Sequence, residues 1–226
     1  TFLSYAEKAA DSISSYSDEA FILKLIAVEY AKAGQFDKAV NVAGSISDDS
    51  KKASALRDIV VELAKAGQFD DAVNVAMFIY DNHDRDDTLS DITLELAKAG
   101  QFDDALNAAG SISFDFLKAE ALSDIASGLA KAGQFDKAVN VARFIYDNYD
   151  KAKALKDIAV ELAKAGQFDK AVSVAGFIYD NDDRDGTLNV IAVELAEAGQ
   201  FDKALNVAGS ISDDYYKAWA LYVIAK

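Results

Sequence analysis

Oxygen-bearing side chains at alternate positions are the first pattern in this chain that invites a chemical reading. In the run Asn181-Asp182-Asp183-Arg184-Asp185-Gly186, the residues Asn181, Asp183 and Asp185 alternate and a glycine follows. Calcium-binding loops begin this way, because a small hard cation gathers oxygens from alternate residues around a sharp turn. Asn82-His83-Asp84-Arg85-Asp86-Asp87 is a weaker echo. The glutamate that closes such a loop would fall at Ala192, so the motif is incomplete. The alternative is an acidic turn that supplies helix caps. Beyond this calcium candidate no cofactor is expected.

A second carboxylate pattern is periodic. Glu29, Glu62, Glu95, Glu161 and Glu194 share one register, and four of them stand three residues before a lysine. Paired carboxylates serve as acid and base in enzymes. Here the regular repetition argues for helix-stabilising ion pairs instead. Cysteine is absent and His83 is the single histidine, so thiolate sites, histidine clusters and histidine-based triads are excluded. No glycine-rich phosphate loop or nucleophile elbow occurs. The expectation is a protein that is not an enzyme and has no catalytic residues.

Composition narrows the partners. The chain has 226 residues, 51% of them hydrophobic, and a formal charge of −15. That much apolar content supports a continuous core and argues against disorder. An acidic surface repels phosphate backbones and anionic membranes, so nucleic acid is not an expected partner. No apolar run approaches the length of a bilayer span, so membrane insertion is not expected either. The compartment is left open by the absence of cysteine, and Thr1 without a preceding Met leaves the N-terminal context open.

The elements that must position these side chains follow from a repeat. Ala-Gly-Gln-Phe-Asp occurs six times, with its glycine at Gly34, Gly67, Gly100, Gly133, Gly166 and Gly199, always 33 residues apart. A fixed period of this size marks a stacked array. In one unit, Leu56, Ile59, Val60 and Leu63 define an amphipathic helix of about four turns. Gly67 stands just past its end, where a left-handed residue stops a helix. Asp70 is positioned to cap a second helix running to about Tyr80, and Phe69 should be the wedge between the two. The leucine and isoleucine columns recur seven times. Ala39, Ala72, Ala105, Ala138, Ala171 and Ala204 allow the second helix a close approach.

The Leu-x-x-Ile-x-x-x-Leu helix, the Gly-Gln-Phe-Asp turn and the alanine after it resemble tetratricopeptide-like (TPR-like) repeats over nearly the whole chain. Val60 and Thr93 replace the family's small residue, the closing proline is missing, and the period is one residue short. The resemblance implies an all-α solenoid of about seven helix-turn-helix repeats in a right-handed superhelix. It also implies a non-catalytic scaffold that binds protein or peptide on its concave face. On that geometry the first helices would present Arg57, Asp58, Lys65, Asp91, Lys98, Asp124, Lys131, Lys153, Lys156, Asp157 and Lys164, with Val61 and Leu94 between them. These form either a solvated face of weak ion pairs or a groove for an extended mixed-charge peptide. The two-Asn, two-Lys clamp of chaperone-tail binders is not reproduced.

The second helices end in two ways. Small endings read Gly-Ser-Ile-Ser at residues 44–47, 110–113 and 209–212. Bulky endings read Phe-Ile-Tyr-Asp at 78–81, 144–147 and 177–180. The constant isoleucine is core. The aromatics are expected to fill wider gaps between repeats, with an exposed contact row as the alternative.

In register, residues 1–226 form a single array that opens with a second helix and stops inside a first helix. Leu3, Tyr5 and Ile13 at one end, and Trp219, Leu221, Tyr222 and Ile224 at the other, are then uncapped apolar surface. Three expectations follow: a segment of a longer array, head-to-tail self-association into a filament, or a monomer whose ends are satisfied within itself.

Overall fold

The computed structural model describes residues 2–10 and 12–226. The described residues form fourteen α-helices and no strand. They fall into two compact units, Thr1–Leu117 and Lys118–Lys226. The first unit contains α1 (Phe2–Ala10), α2 (Tyr16–Lys32), α3 (Phe36–Ser45), α4 (Asp49–Lys65), α5 (Phe69–Ala76), α6 (Asn82–Lys98) and α7 (Phe102–Gly110). The division falls inside α8 (Asp115–Lys131). The second unit continues with α9 (Phe135–Arg143), α10 (Asn148–Lys164), α11 (Phe168–Ala175), α12 (Asn181–Glu197), α13 (Phe201–Ser210) and α14 (Asp214–Ile224).

Long and short helices alternate. The long helices α2, α4, α6, α8, α10 and α12 have 17 residues each. α2, α4, α6, α10 and α12 each pack on the short helix that follows, as α4 does on α5 and α10 on α11. Neighbouring long helices also pack side by side, α4 on α6 and α10 on α12. The apolar columns explain this. Ile59, Ile92, Ile158 and Ile191 are buried, and so are Leu56, Leu89 and Leu155. Burying such a side chain contributes about 1.5–3 kcal/mol. The six alanines that open the short helices are all fully buried, which lets the helix axes approach. Thr93 sits in the core because its hydroxyl donates to the Leu89 carbonyl at 2.8 Å.

The recurring Ala-Gly-Gln phrase is a helix-terminating motif. At the end of α4, Gly67 has φ of 73°, a left-handed conformation that a Cβ would strain. Its N–H donates to the Ala64 carbonyl at 3.0 Å, and the Gln68 N–H donates to the Leu63 carbonyl at 2.9 Å. This pair of reversed bonds is the Schellman closure, which satisfies carbonyls the helix would otherwise leave bare. The Gln68 carbonyl then accepts from Ala72 at 3.0 Å and so begins α5. Asp70 is therefore not the cap. Gln68 takes that position, and Asp70 lies in the first turn, where its charge favours the positive helix end. Phe69 is half-buried rather than a full wedge, whereas Phe102 and Phe168 at the same position are buried.

The short helices end earlier than the sequence suggests. α5 stops at Ala76, not near Tyr80; Met77 and Phe78 then form a turn, in which the Phe78 and Ile79 N–H groups donate to the Val75 and Ala76 carbonyls at 3.1 and 3.0 Å, before the next N-cap, Asp81. The isoleucines of the endings point inward: Ile79, Ile145 and Ile178 are buried. The aromatics on either side point outward. Tyr80, Tyr146 and Tyr179 are 91%, 92% and 89% exposed, and Phe78, Phe144 and Phe177 are 64%, 71% and 58% exposed. They do not fill gaps between repeats but lie exposed at the surface.

Two small-ending repeats carry a feature of their own. Asp86 and Asp185 are buried. Asp86 accepts from the Ser113 and Phe114 N–H groups at 2.7 and 2.8 Å. Asp185 accepts from the Ser212 and Asp213 N–H groups at 3.0 and 2.8 Å. Each carboxylate thus ties a long helix to the linker two helices later. Alanine stands at this position in the other repeats, at Ala20, Ala53, Ala119, Ala152 and Ala218.

Candidate functional site

The first unit contains a groove between α4 and α6. Their inner residues Leu56, Ile59, Leu89 and Ile92 pack the core, which turns the next positions on each helix toward the groove. Arg57, Val61, Lys65, Asp91, Leu94 and Lys98 line it, with Val60, Ile92 and Phe69 beneath, around a volume of about 550 Å³. The floor is apolar and the rim carries both signs of charge. Such a cavity suits side chains of a peptide better than a small polar metabolite, because apolar contact supplies affinity and the rim sets orientation.

The rim cations already have partners. Arg57 Nη2 lies 2.6 Å from Asp84 Oδ1. Lys65 pairs with Glu62 at 2.7 Å, and Lys98 with Glu95 at 2.8 Å. Exposed pairs of this kind contribute about 0–1 kcal/mol each, so a ligand carboxylate exchanges with them at little cost. Arg57 Nε is buried and has no hydrogen-bond partner, so it is the Nη2 end of the guanidinium that reaches an acceptor, Asp84. The Asp91 carboxyl is pushed up from its ordinary range, first by partial burial and then by Asp87 nearby. Desolvation weakens its preference for the charged form, and a bound cation would restore it.

The other residues expected on this face are dispersed among ties between repeats. Asp58 meets Lys24 of α2 at 3.3 Å. In the second unit, Lys153 meets Asp124 at 3.0 Å. The Ser127 hydroxyl donates to Asp157 at 2.7 Å. Lys164 pairs with Glu161 along its own helix. Lys131 and Lys156 are exposed, and Gly128 stands where the other lysines of that column have their glutamate. So Arg57, Lys65, Asp91 and Lys98 come together in one groove, and Asp58 faces away toward α2.

The calcium-like segments are not loops. Asn181–Glu197 is one helix, and Asn82–Lys98 is another. Residues two apart on a helix point about 200° apart, so Asn181, Asp183 and Asp185 do not converge. Asp180 caps the helix by accepting from Asp182 and Asp183. Arg184 holds Asn181 at 2.6 Å, and Asp185 is the buried tie already described. The acidic turn supplies caps, as the alternative reading had it. Among the described residues no group of three or more metal-ligating side chains is assembled.

At the ends, Tyr5, Trp219, Leu221 and Tyr222 are exposed, and Leu3, Ile13 and Ile224 are half-buried. Leu221 shares a column with the buried Leu56, Leu89 and Leu155 but is itself exposed. No helix is long and apolar enough to cross a membrane among the described residues.

No family model matches the chain, and no curated protein matches it. Among solved structures it is similar to Ton1535 from Thermococcus onnurineus NA1. That similarity has 16% identity and a TM-score of 0.31, and covers 99% of this chain and 95% of the other. It is also similar to the nearly identical TPR-like repeats of a putative kinesin light chain from Podosopora anserina. There the identity is 12% and the TM-score 0.33, over 94% of this chain and 98% of the other. A point-substituted form of that protein gives 11% and 0.34, over 88% and 95%. At these scores the superpositions add nothing to what the helices themselves establish. The chain is an all-α array of helix pairs with a 33-residue period, resembling TPR-like repeat proteins.

Proposed function

We propose that this protein is a non-catalytic helical-repeat scaffold that binds a protein or peptide segment of mixed charge along its long helices. The observation that supports it most is the α4–α6 groove, with an apolar floor and a rim of both charges. The corresponding face of the second unit, with Asp124, Lys131, Lys153, Lys156, Asp157 and Lys164, extends the same chemistry. Selection from a random peptide library on the full chain, followed by calorimetric titration, tests this. The expected result is saturable binding that weakens about tenfold on Lys98→Glu. Failure to select any peptide, or binding indifferent to Lys98→Glu and Arg57→Glu together, removes the reading.

A second reading is self-association through α14, where Trp219 and Tyr222 are exposed beside Leu221. Sedimentation at two concentrations decides it. Growth in mass that Trp219→Ser abolishes supports it, and a constant monomer mass ends it.

A further inference from the structure

The second unit exposes the same aromatic corner in two consecutive repeats. Phe144 and Tyr146 flank buried Ile145, and Phe177 and Tyr179 flank buried Ile178. The second corner opens on a hollow of about 710 Å³ lined by Phe177, Ile178, Tyr179, Asp180, Asn181 and Arg184. The fold does not need these rings. At the matching positions of the small endings stand Ser210 and Ser212, and Ile211 between them is equally buried. Large aromatics kept in water, where serine serves the fold, mark a surface used for contact.

Charge identifies the kind of partner. Asp147, Asp150, Asp180, Asp182 and Asp183 lie in or next to the two corners. The Asp150 carboxyl is pushed up by partial burial and then by Asp147 and Glu120, and Asp182 raises the Tyr216 hydroxyl. The Tyr216 shift comes first from a neighbouring carboxylate, whereas that of Asp150 comes first from burial and only then from Asp147 and Glu120. The chain as a whole carries −15, so a second copy is repelled and a cationic partner attracted. Ring faces beside carboxylates favour guanidinium and ammonium groups, which gain from the ring quadrupole and from the carboxylates together.

We propose that the paired aromatic corners of residues 144–150 and 177–183 form a docking surface for a basic, arginine- or lysine-bearing protein segment. This surface is separate from the α4–α6 groove, so either survives the failure of the other.

The test uses the full chain and a fluorescent decapeptide of alternating arginine and glycine, with a glutamate–glycine decapeptide as control. The expected result is anisotropy binding of the arginine peptide alone. Phe144→Ser with Tyr146→Ser should weaken it about fivefold, and serine at both corners more than additively, because linked contacts act together. Tyr146→Leu with Tyr179→Leu keeps apolar area but removes the hydroxyl-bearing ring, and should also weaken binding. Helical circular dichroism confirms that the variants fold. Lys98→Glu should leave this binding unchanged. The proposal is overturned if the arginine peptide does not bind, if the glutamate peptide binds equally, or if both serine and leucine variants bind like the parent. It is also overturned if serine at the corners instead dissolves a homo-oligomer in sedimentation, which would make a second copy the occupant.

Discussion

The corners that follow α11 and α13 share a backbone and differ in almost everything else. Both lead through a buried isoleucine, Ile178 or Ile211, each 1% exposed. Both end in an extended aspartate cap, Asp180 at φ −68°, ψ 130° and Asp213 at φ −71°, ψ 125°. Yet the first carries exposed Phe177 and Tyr179, and the second carries serines and the Asp185 tie beneath its linker. The isoleucine and the aspartate cap are therefore sufficient to set the corner. The flanking positions are released from folding, and one repeat spends them on rigidity while its neighbour presents aromatic surface.

The largest expected effect probes what the corners share. Ile178→Ala and Ile211→Ala should each cost about 2–5 kcal/mol, the range for emptying a packed aliphatic site. Urea midpoints followed by circular dichroism measure both. If Ile178→Ala proves much cheaper than Ile211→Ala, the bulky corner is held by its aromatics after all, and the comparison fails.

A smaller effect probes what only the small ending has. Asp185→Ala should cost about 1–3 kcal/mol, because two linker N–H groups lose a charged acceptor. The reverse change, Ala152→Asp, should destabilise by a similar amount. Ala152 is buried, and a carboxylate placed there bears a desolvation penalty that is offset only as far as the Tyr179 and Asp180 N–H groups, which match those of Ser212 and Asp213, donate to it. A stabilising Ala152→Asp would show that the α11 corner has unmet donors and that the tie is not particular to small endings.

These effects also mark how far the sequence could be read. The helix pairs were legible because their signals are local and repeated: a 33-residue period, glycine where φ must be positive, and leucine and isoleucine at helical spacing. Arg57, Lys65, Asp91 and Lys98 were legible as one face because first-helix register fixes direction. The aromatic exposure was misjudged because it depends on where the helix stops. Carried on to Tyr80, the helix would keep Phe78 and Tyr80 in helical register with the packed residues, but release at Ala76 into a turn leaves Phe78 and Tyr80 exposed and Ile79 buried. Similarly, Asn181, Asp183 and Asp185 read as a loop only until Asp180 is recognised as the cap of a continuous helix. The Asp86 and Asp185 ties were missed although a signal existed: two aspartates in a column otherwise made of alanine. Only the fold shows that the linker two helices later supplies their partners.

The smallest stability effect is the most informative about use. Phe177→Ser with Tyr179→Ser converts the α11 corner into the composition of the α13 corner. Both side chains are largely in water, so the change should shift stability by no more than about 0.5 kcal/mol, as surface substitutions do. The reciprocal transplant, Ser210→Phe with Ser212→Tyr, loses the bond from the Ser210 hydroxyl to the Val207 carbonyl at 2.7 Å. That bond is exposed and its loss costs little, whereas the Asp185 tie uses the backbone of Ser212 and persists. The transplant should therefore leave the urea midpoint almost unchanged while adding a third aromatic corner to the second unit for the arginine peptide. Unchanged stability with a gain in peptide affinity separates folding from contact in one pair of reciprocal variants. A drop of several kcal/mol in either direction of exchange would mean that the endings are matched to their repeats, and that the aromatics belong to folding rather than to a partner.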